Sequence, residues 1–177
     1  FRDEEKFDHC VISLLGDCPL GDNIRKLGIK VVTINMNRGK PRISDFYKLI
    51  VSVRGCRPEI IQGWMYHGNI AASIASFFLL YRPRVVWNIR QSLYDIKTEK
   101  RRTAFLIKLG KLISFHPFKI IYNSQISKKQ HETFGYSADK SWTIPNGFDC
   151  DYFKPDIHSH LKLRKELNVT MNSKIVG

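Results

Sequence analysis

The chain has 177 residues, of which 43% are hydrophobic and 12% aromatic, and its formal net charge is +13. This length supports one well-buried core and excludes two full-sized domains, and no apolar run reaches the roughly 18 residues that a membrane-spanning helix needs. The positive charge is concentrated in residues 29–150, which hold twenty basic and seven acidic residues. Such a field attracts polyanions: nucleic acid, anionic lipid headgroups or phosphorylated substrates.

The cysteines lie far apart and form no CxxC pair; they are Cys10, Cys18, Cys56 and Cys150. This spacing predicts reduced thiols, as in a cytosolic protein, instead of a disulfide framework or a zinc site. His158 and His160 lie near the last cysteine, but their spacing fits no compact site, so we expect no metal. The chain opens without a signal peptide, which favours a cytoplasmic location.

Predicted strands and helices alternate along the whole chain. Apolar, β-branched runs predict strands at residues 9–15, 29–36, 58–62, 84–89, 119–122 and 141–144, and the start of another at Lys174. Helical spacing predicts helices at residues 21–27, 45–54, 69–80, 98–115, 124–134 and 161–167. Because the strands are continuous apolar runs, they indicate a parallel sheet with helices on both faces. We therefore predict a Rossmann-like α/β fold.

The loop predicted after the third strand, residues 63–69, is the richest in functional side chains. It places Trp64, Tyr66, His67 and Asn69 at the mouth of a helix, on the edge where parallel sheets bind ligands. Aromatic faces stack on sugar rings, histidine transfers protons near neutral pH, and a helix N-terminus favours anions. The alternative is a structural role, with the aromatic residues packed under the sheet edge and the histidine acting as a cap.

Arg90 follows the fourth predicted strand at the same edge. A guanidinium in this position suits a phosphate or carboxylate partner, because it combines charge with paired hydrogen-bond donors. The alternative is a salt bridge with Asp95 or another neighbouring acid.

The predicted helical stretch from Lys97 to Leu112 carries a basic face. At 100° per residue, five cations fall within an arc of about 100°; they are Lys97, Lys100, Arg101, Lys108 and Lys111. A basic amphipathic helix docks on anionic lipid in many proteins, so we consider this face a candidate membrane contact. The alternative is a solvated basic face above a stripe of core residues.

Four segments together resemble the retaining GT-B glycosyltransferases of family 4, and in particular the bacterial enzymes that build surface polysaccharides. They are IQGWMYHGN at residues 61–69, VVWNIRQS at 85–92, IYNS at 121–124 and IPNGFD at 144–149, the last followed by YFKP at 152–155. They occur in the order that this family has. The segment around Asn146 and Gly147 is similar to the junction between the two domains of these enzymes.

The resemblance implies that residues 1–150 form the acceptor-side Rossmann-like domain, without its first strand, and that residues 151–177 connect to the donor domain. The implied reaction moves a sugar from a nucleotide-diphosphate sugar to a lipid-linked or saccharide acceptor, with retention and without a further cofactor. The donor domain, with its glutamate pair, lies beyond this chain, so the fragment alone is expected to be inactive. Peripheral contact with the inner face of the cytoplasmic membrane is expected, and specific binding of nucleic acid is not.

The resemblance also implies roles for individual residues. His67 and Arg90 are the candidate catalytic residues, and Arg90 stands where many relatives carry a histidine. The candidate substrate-binding residues are Trp64, Tyr66, Asn69, Gln91, Asn123 and Ser124. The alternative to an enzyme is a binding module of the same architecture that recognises an anion, nucleic acid or saccharide without catalysis.

Overall fold

The structure, a computed structural model, describes residues 6–175, apart from the side chain of Ile157. The strands of this part of the chain are β1 Cys10–Ser13, β2 Lys30–Thr33, β3 Ile60–Trp64, β4 Arg84–Ile89, β5 Lys119–Tyr122 and β6 Ser141–Thr143. The α-helices are α1 Pro19–Lys26, α2 Ile43–Cys56, α3 Met65–Phe77, α4 Arg101–Ile113, α5 Gln125–Phe134 and α6 Ile157–Glu166. Lys174 and Ile175 form no strand, and the rest of the strand predicted there lies outside the described residues.

All strand pairs in the described residues are parallel, and the Rossmann-like α/β prediction is confirmed. β1 pairs with β2, and the order β3-β4-β5-β6 forms a second sheet of four strands. The strands therefore form two sheets, because β1 and β3 are not hydrogen-bonded to each other. In the larger sheet, Trp87 at the centre of β4 lies opposite Gly63 on one side and Ile120 on the other.

The core lies where α3 and α4 cover β4 and β5. Val85, Trp87 and Ile89 alternate along β4 and are buried in one cluster with Ile107 of α4. The indole N–H of Trp87 donates a hydrogen bond of 2.9 Å to the Ser73 hydroxyl in α3, so this large side chain is satisfied as well as buried.

A second apolar cluster joins the two sheets. It contains Leu49 of α2 and Ala75 of α3, and both Ile12 of β1 and Ile61 of β3 pack against it. The layer formed by α2 and α3 therefore contacts both sheets, which gives them a common hydrophobic support.

Cys10 and Cys56 form a disulfide that links the start of β1 to the end of α2, with Cα atoms 6.7 Å apart. The prediction of four reduced thiols is therefore wrong for this pair. Their separation of 46 residues concealed the pairing, because α2 returns the chain to the edge of β1 only in the folded state. Cys18 and Cys150 are free and exposed.

The chain divides into two compact units, one up to Pro145 and a smaller one from Asn146. Neither Asn146 nor Gly147 has a positive φ, and a Cβ on Gly147 would meet nothing within 4 Å. This dipeptide therefore continues the chain without a left-handed backbone conformation. Within the smaller unit, the Asp149 carboxylate accepts hydrogen bonds of 3.0 Å from the backbone N–H groups of Asp151 and Tyr152.

No helix within the described residues is long and apolar enough to cross a membrane.

Candidate functional site at the carboxyl edge of the sheet

The candidate site begins at a sharp elbow where β3 passes directly into α3. Trp64 ends the strand and Met65 starts the helix, with a φ of 58° at Met65. The loop predicted at residues 63–69 is therefore wrong: its first two residues belong to β3 and the others to α3. A left-handed φ is strained for a residue with a side chain, and such strain concentrates at functional sites.

Gly63 allows this elbow to be so tight. A Cβ at this position would lie 2.6 Å from the Asn69 Cα and 2.7 Å from the Gly68 carbonyl oxygen. Both are backbone atoms that cannot rotate away, so the first turn of α3 is seated directly on the end of β3.

The tight elbow buries two of the predicted substrate-binding residues. Tyr66 is 3% exposed and Asn69 is 2% exposed. The Asn69 side-chain oxygen accepts a hydrogen bond of 3.2 Å from the backbone N–H of Asn88 in β4, so this residue ties α3 to the sheet. Its Nδ2 group is buried and has no hydrogen-bond partner among the described residues. Tyr66 and Asn69 are therefore buried at the elbow, and their assignment to substrate binding stays a prediction.

Arg90 lies immediately beyond the end of β4, against the elbow. Its guanidinium carbon is 5.3 Å from the centre of the Trp64 ring, and its Nε donates a hydrogen bond of 2.8 Å to the side-chain oxygen of Asn88. Its backbone N–H donates to the sulfur of Met65 at 3.4 Å. The structure therefore brings Trp64 and Arg90 together, and a cation–π contact with a hydrogen bond fixes the plane of the guanidinium.

His67 lies in the first turn of α3 and is exposed. Trp64, the residue before the helix, is also exposed, at 56%. The N-terminus of a helix carries a partial positive charge and unpaired N–H groups. Together with the cation of Arg90, this end of α3 has the electrostatic character of an anion site, with an imidazole beside it that can exchange protons with a ligand.

The segment after β4 is held from two sides. The Gln91 side chain donates a hydrogen bond of 2.5 Å to the Glu99 carboxylate, and the backbone carbonyl of Gln91 accepts one of 2.6 Å from the Ser127 hydroxyl of α5. Two residues later, the Leu93 N–H donates to the side-chain oxygen of Gln130 at 2.8 Å. Because Gln91 is engaged in this way, its side chain supports the segment that carries Arg90.

Beside this segment is an open groove of about 520 Å³ between the chain after β4 and α5. Its lining combines apolar and polar side chains, among them Tyr94, Asp95, Lys129, Gln130 and Phe134. Exposed aromatic and polar groups of this kind suit a sugar, whose faces are apolar and whose edges carry hydroxyls.

Asn123 and Ser124 follow β5 at the same edge and are half-buried. The Ser124 hydroxyl accepts a hydrogen bond of 3.1 Å from the Ser127 N–H, so it caps α5. A capping role uses the oxygen that a ligand would need, so its assignment to substrate binding remains a prediction.

Beneath the elbow is a buried histidine that the sequence interpretation missed. His131 of α5 is fully buried, and its Nδ1 lies 2.8 Å from the Ser127 carbonyl oxygen. Nδ1 therefore carries the proton and donates a hydrogen bond to this carbonyl. Nε2 is unprotonated and accepts a hydrogen bond of 2.9 Å from the Tyr66 hydroxyl. Burial lowers the pKa of His131 and raises the pKa of Tyr66, so both are neutral near pH 7.

The basic helical face has a different composition from the predicted one. Lys97 lies in a separate 3-10 turn, and Lys100 is the N-cap residue of α4, with a non-helical ψ of 137°. Because α4 begins only at Arg101, a single helical face shared by all five cations is wrong. Arg101, Lys108 and Lys111 remain on α4 and are exposed.

Comparison with known proteins agrees with this architecture. A model of the family described as Glycosyltransferase Family 4 matches residues 3–152. Crystal structures of HepE from Anabaena superpose with TM-scores of 0.67 for the complex with UDP and glucose and 0.65 for the complex with UDP-glucose, at 20% and 24% sequence identity. A glycosyltransferase from Rickettsia africae superposes with a TM-score of 0.64 at 16% identity.

At these identities the structural likeness shows the fold alone. The matches cover 89%, 90% and 92% of this chain, which spans 42% of the length of each of these structures. No curated protein matches the chain significantly. The family model, in contrast, accounts for most of the sequence, from residue 3 to residue 152. The chain belongs to glycosyltransferase family 4.

Proposed function

We propose that this chain is the acceptor-side half of a glycosyltransferase that moves a sugar from a nucleotide-diphosphate sugar to a lipid-linked or saccharide acceptor, with retention of configuration. The observation that carries the proposal is the fixed cation at the carboxyl edge: Arg90 held over Trp64, beside the N-terminus of α3. Family membership supports glycosyl transfer. The complexes of Anabaena HepE with UDP and UDP-glucose support a nucleotide sugar as the donor.

In this proposal Arg90 stabilises the negative charge that develops during sugar transfer. During transfer, the bond between the anomeric carbon and the donor phosphate oxygen breaks, and the anomeric carbon forms a bond to the acceptor hydroxyl oxygen. Negative charge develops on the leaving diphosphate while the acceptor hydroxyl loses its proton. A guanidinium whose plane is already fixed stabilises this charge without reorganising during the reaction.

In this proposal His67 either exchanges a proton with the ligand or forms a hydrogen bond with a sugar hydroxyl. Its exposed position in the first turn of α3 allows it to contact a ligand bound at this edge. Imidazole exchanges protons near neutral pH and also forms hydrogen bonds with hydroxyls in its neutral form. Trp64 serves as the apolar surface that holds Arg90 and limits its solvation.

The acceptor would occupy the groove beside Tyr94 and α5. This groove adjoins the segment that carries Arg90, and its lining suits a saccharide.

A lipid-linked acceptor is presented at a bilayer, so we propose that the protein acts at the inner face of the cytoplasmic membrane. We expect the 177-residue chain alone to be inactive, because the donor-binding half completes the site.

A transfer assay on the full-length polypeptide tests the proposal. A panel of nucleotide sugars is offered with polyprenyl-linked acceptors extracted from membranes of the source cells, and the anomeric configuration of the product is determined by NMR. Transfer from one donor with retention is the expected result. A folded protein that neither transfers nor hydrolyses any donor would instead support a non-catalytic binding module.

A further inference from the structure

The edge of the sheet opposite the candidate site carries a cluster of exposed apolar side chains. Two chain segments form it: residues 77–84, from the last residue of α3 to the first residue of β4, and residues 111–119, from the last turn of α4 to the first residue of β5. We call the surface formed by these two segments the aromatic edge. Its exposed apolar residues are Phe77, Phe78, Leu80, Tyr81, Leu112, Phe115 and Phe118.

The two segments are adjacent and form one surface. The Phe77 ring centroid lies 6.1 Å from that of His116, which connects the end of α3 to the second segment. The Phe118 N–H donates a hydrogen bond of 2.7 Å to the carbonyl of Val85, so the starts of β4 and β5 are also joined.

Each segment is anchored by a buried residue, while its neighbours point outward. Leu79 is buried between exposed Phe78 and Leu80, and Leu80 shows no burial at all. Pro117 is fully buried between His116 and Phe118. The exposed side chains therefore stand on a packed base. A contiguous apolar surface of this kind on a soluble domain marks an interaction site.

The charge of the aromatic edge is positive. Residues 77–84 and 111–119 contain Arg82, Arg84, Lys111 and Lys119 and no acidic residue. Three of these cations lie over aromatic rings: Arg84 over Phe118 at 4.9 Å, Lys119 over Trp142 at 4.8 Å and Lys111 over Phe134 at 5.4 Å. The neighbouring acids are Glu59, just before β3, and Asp139, just before β6.

We propose that the aromatic edge docks on an anionic phospholipid bilayer. Phenylalanine, leucine and tyrosine side chains enter the boundary between headgroups and acyl chains, and the cations beside them contact lipid phosphates. The aromatic edge combines apolar side chains with cations, whereas Arg101 and Lys108 of α4 lie outside it and are explained as solvated surface charges. The inference rests on the proposed function for its biological setting, because a lipid-linked acceptor requires a membrane-bound enzyme.

Sedimentation with lipid vesicles tests the proposal on the full-length polypeptide. Vesicles of phosphatidylcholine with 30–40% phosphatidylglycerol are compared with pure phosphatidylcholine vesicles. The apolar variant combines Phe78→Ser, Leu80→Ser and Phe115→Ser, which are exposed and therefore leave the fold intact. The matched control combines Ile43→Ser, Tyr47→Ser and Val51→Ser, which are also exposed apolar positions and lie on α2.

We expect the native protein to bind the anionic vesicles, the apolar variant to bind at least about tenfold more weakly, and the control variant to bind within about twofold of the native protein. A second variant with Arg82→Gln, Arg84→Gln and Lys111→Gln should lose the preference for anionic vesicles. Vesicle binding that is absent, or equal in the native protein and the apolar variant, would overturn the proposal. A monomer released from a dimer by the apolar substitutions, without change in vesicle binding, would assign the surface to a second copy of the chain and also overturn it.

The readout does not depend on turnover. Transfer to a water-soluble acceptor should be unchanged in the apolar variant, since the aromatic edge is opposite the candidate site. Intact vesicle binding without any transferase activity would contradict the proposed function and leave this inference standing.

Discussion

The guanidinium carbon of Arg90 lies 5.3 Å from the centre of the Trp64 ring, although the two residues end different strands. The contact exists because β3 and β4 are parallel neighbours in register, with Trp64 opposite Asn88. Asn88 in turn accepts the hydrogen bond from Arg90 Nε. The cation of the candidate site is thus positioned by residues from two strands and the start of α3.

Replacement of Trp64 should impair catalysis through Arg90. With Trp64→Ala, the guanidinium loses its cation–π partner and becomes more solvated, so we expect kcat to fall about fivefold or more while the fold is retained. Trp64→Phe keeps an aromatic face and should recover most of this loss. The measurement is kcat and KM for nucleotide-sugar transfer. Equal rates in the native protein and Trp64→Ala would show that the ring does not position the cation.

Gly63→Ala should destabilise the protein by about 2 kcal/mol or more. The added methyl would lie within 2.7 Å of backbone atoms in the first turn of α3, which would have to move off the strand. The matched control is Gly147→Ala, where the new Cβ meets nothing within 4 Å, and we expect a change within about 0.5 kcal/mol. Urea unfolding of both variants gives the comparison; similar values would mean that the elbow is not tightly seated.

Stability should decrease in mild acid because of His131. Burial holds the pKa of His131 below its usual value of about 6.5. Above that pH the His131 imidazole is neutral in both the folded and the unfolded state, so its contribution to the free energy of unfolding is complete. As the pH falls from about 6.5 towards the lower pKa of the folded state, the unfolded chain binds a proton that the folded chain does not, and the free energy of unfolding falls by up to about 1.4 kcal/mol per pH unit.

Urea unfolding between pH 7.5 and pH 5 checks this prediction. His116 has a pKa lowered by burial as well, so it contributes in the same direction. His131→Gln should therefore reduce the pH slope more than His116→Gln does, because His131 is fully buried and His116 is not. A slope that is unchanged in His131→Gln would show that this histidine does not titrate on unfolding.

Thiol titration should detect two of the four cysteines. Cys10 and Cys56 are paired, whereas Cys18 and Cys150 are free and exposed. Denatured, unreduced protein should therefore react with two equivalents of a thiol reagent, and reduced protein with four. Cys56→Ser should give three before reduction. Four reactive thiols in protein purified without a reductant would contradict the disulfide.

The sequence interpretation succeeded where periodicity and chain order decide the structure. Continuous apolar runs identified parallel strands, and four ordered motifs identified the family. It failed at the elbow: Gly63 and Gly68 suggested a loop, whereas Gly63 permits close contact between β3 and α3. The consequence for the site is that Tyr66 and Asn69 are buried.

Long-range contacts were inaccessible from the sequence for a physical reason. The Tyr66–His131 hydrogen bond joins residues 65 positions apart, and no local sequence pattern around either residue predicts a contact with the other. The spacing of Ser127 and His131 by four residues on α5 was a usable signal, because it places them on one helical face. The predicted basic helix began too early in the chain, because nothing in its charge pattern indicates that the backbone of Lys100 is non-helical.

The most direct test of the proposed site is the rate of sugar transfer by His67→Ala and Arg90→Ala in the full-length polypeptide. The control is Lys48→Ala, an exposed cation on α2 that belongs neither to the elbow nor to the groove. We expect each of the two site variants to reduce kcat/KM at least about tenfold with unchanged unfolding free energy, and the control to stay within about threefold. Native rates in both site variants would remove these residues from the site and contradict the account.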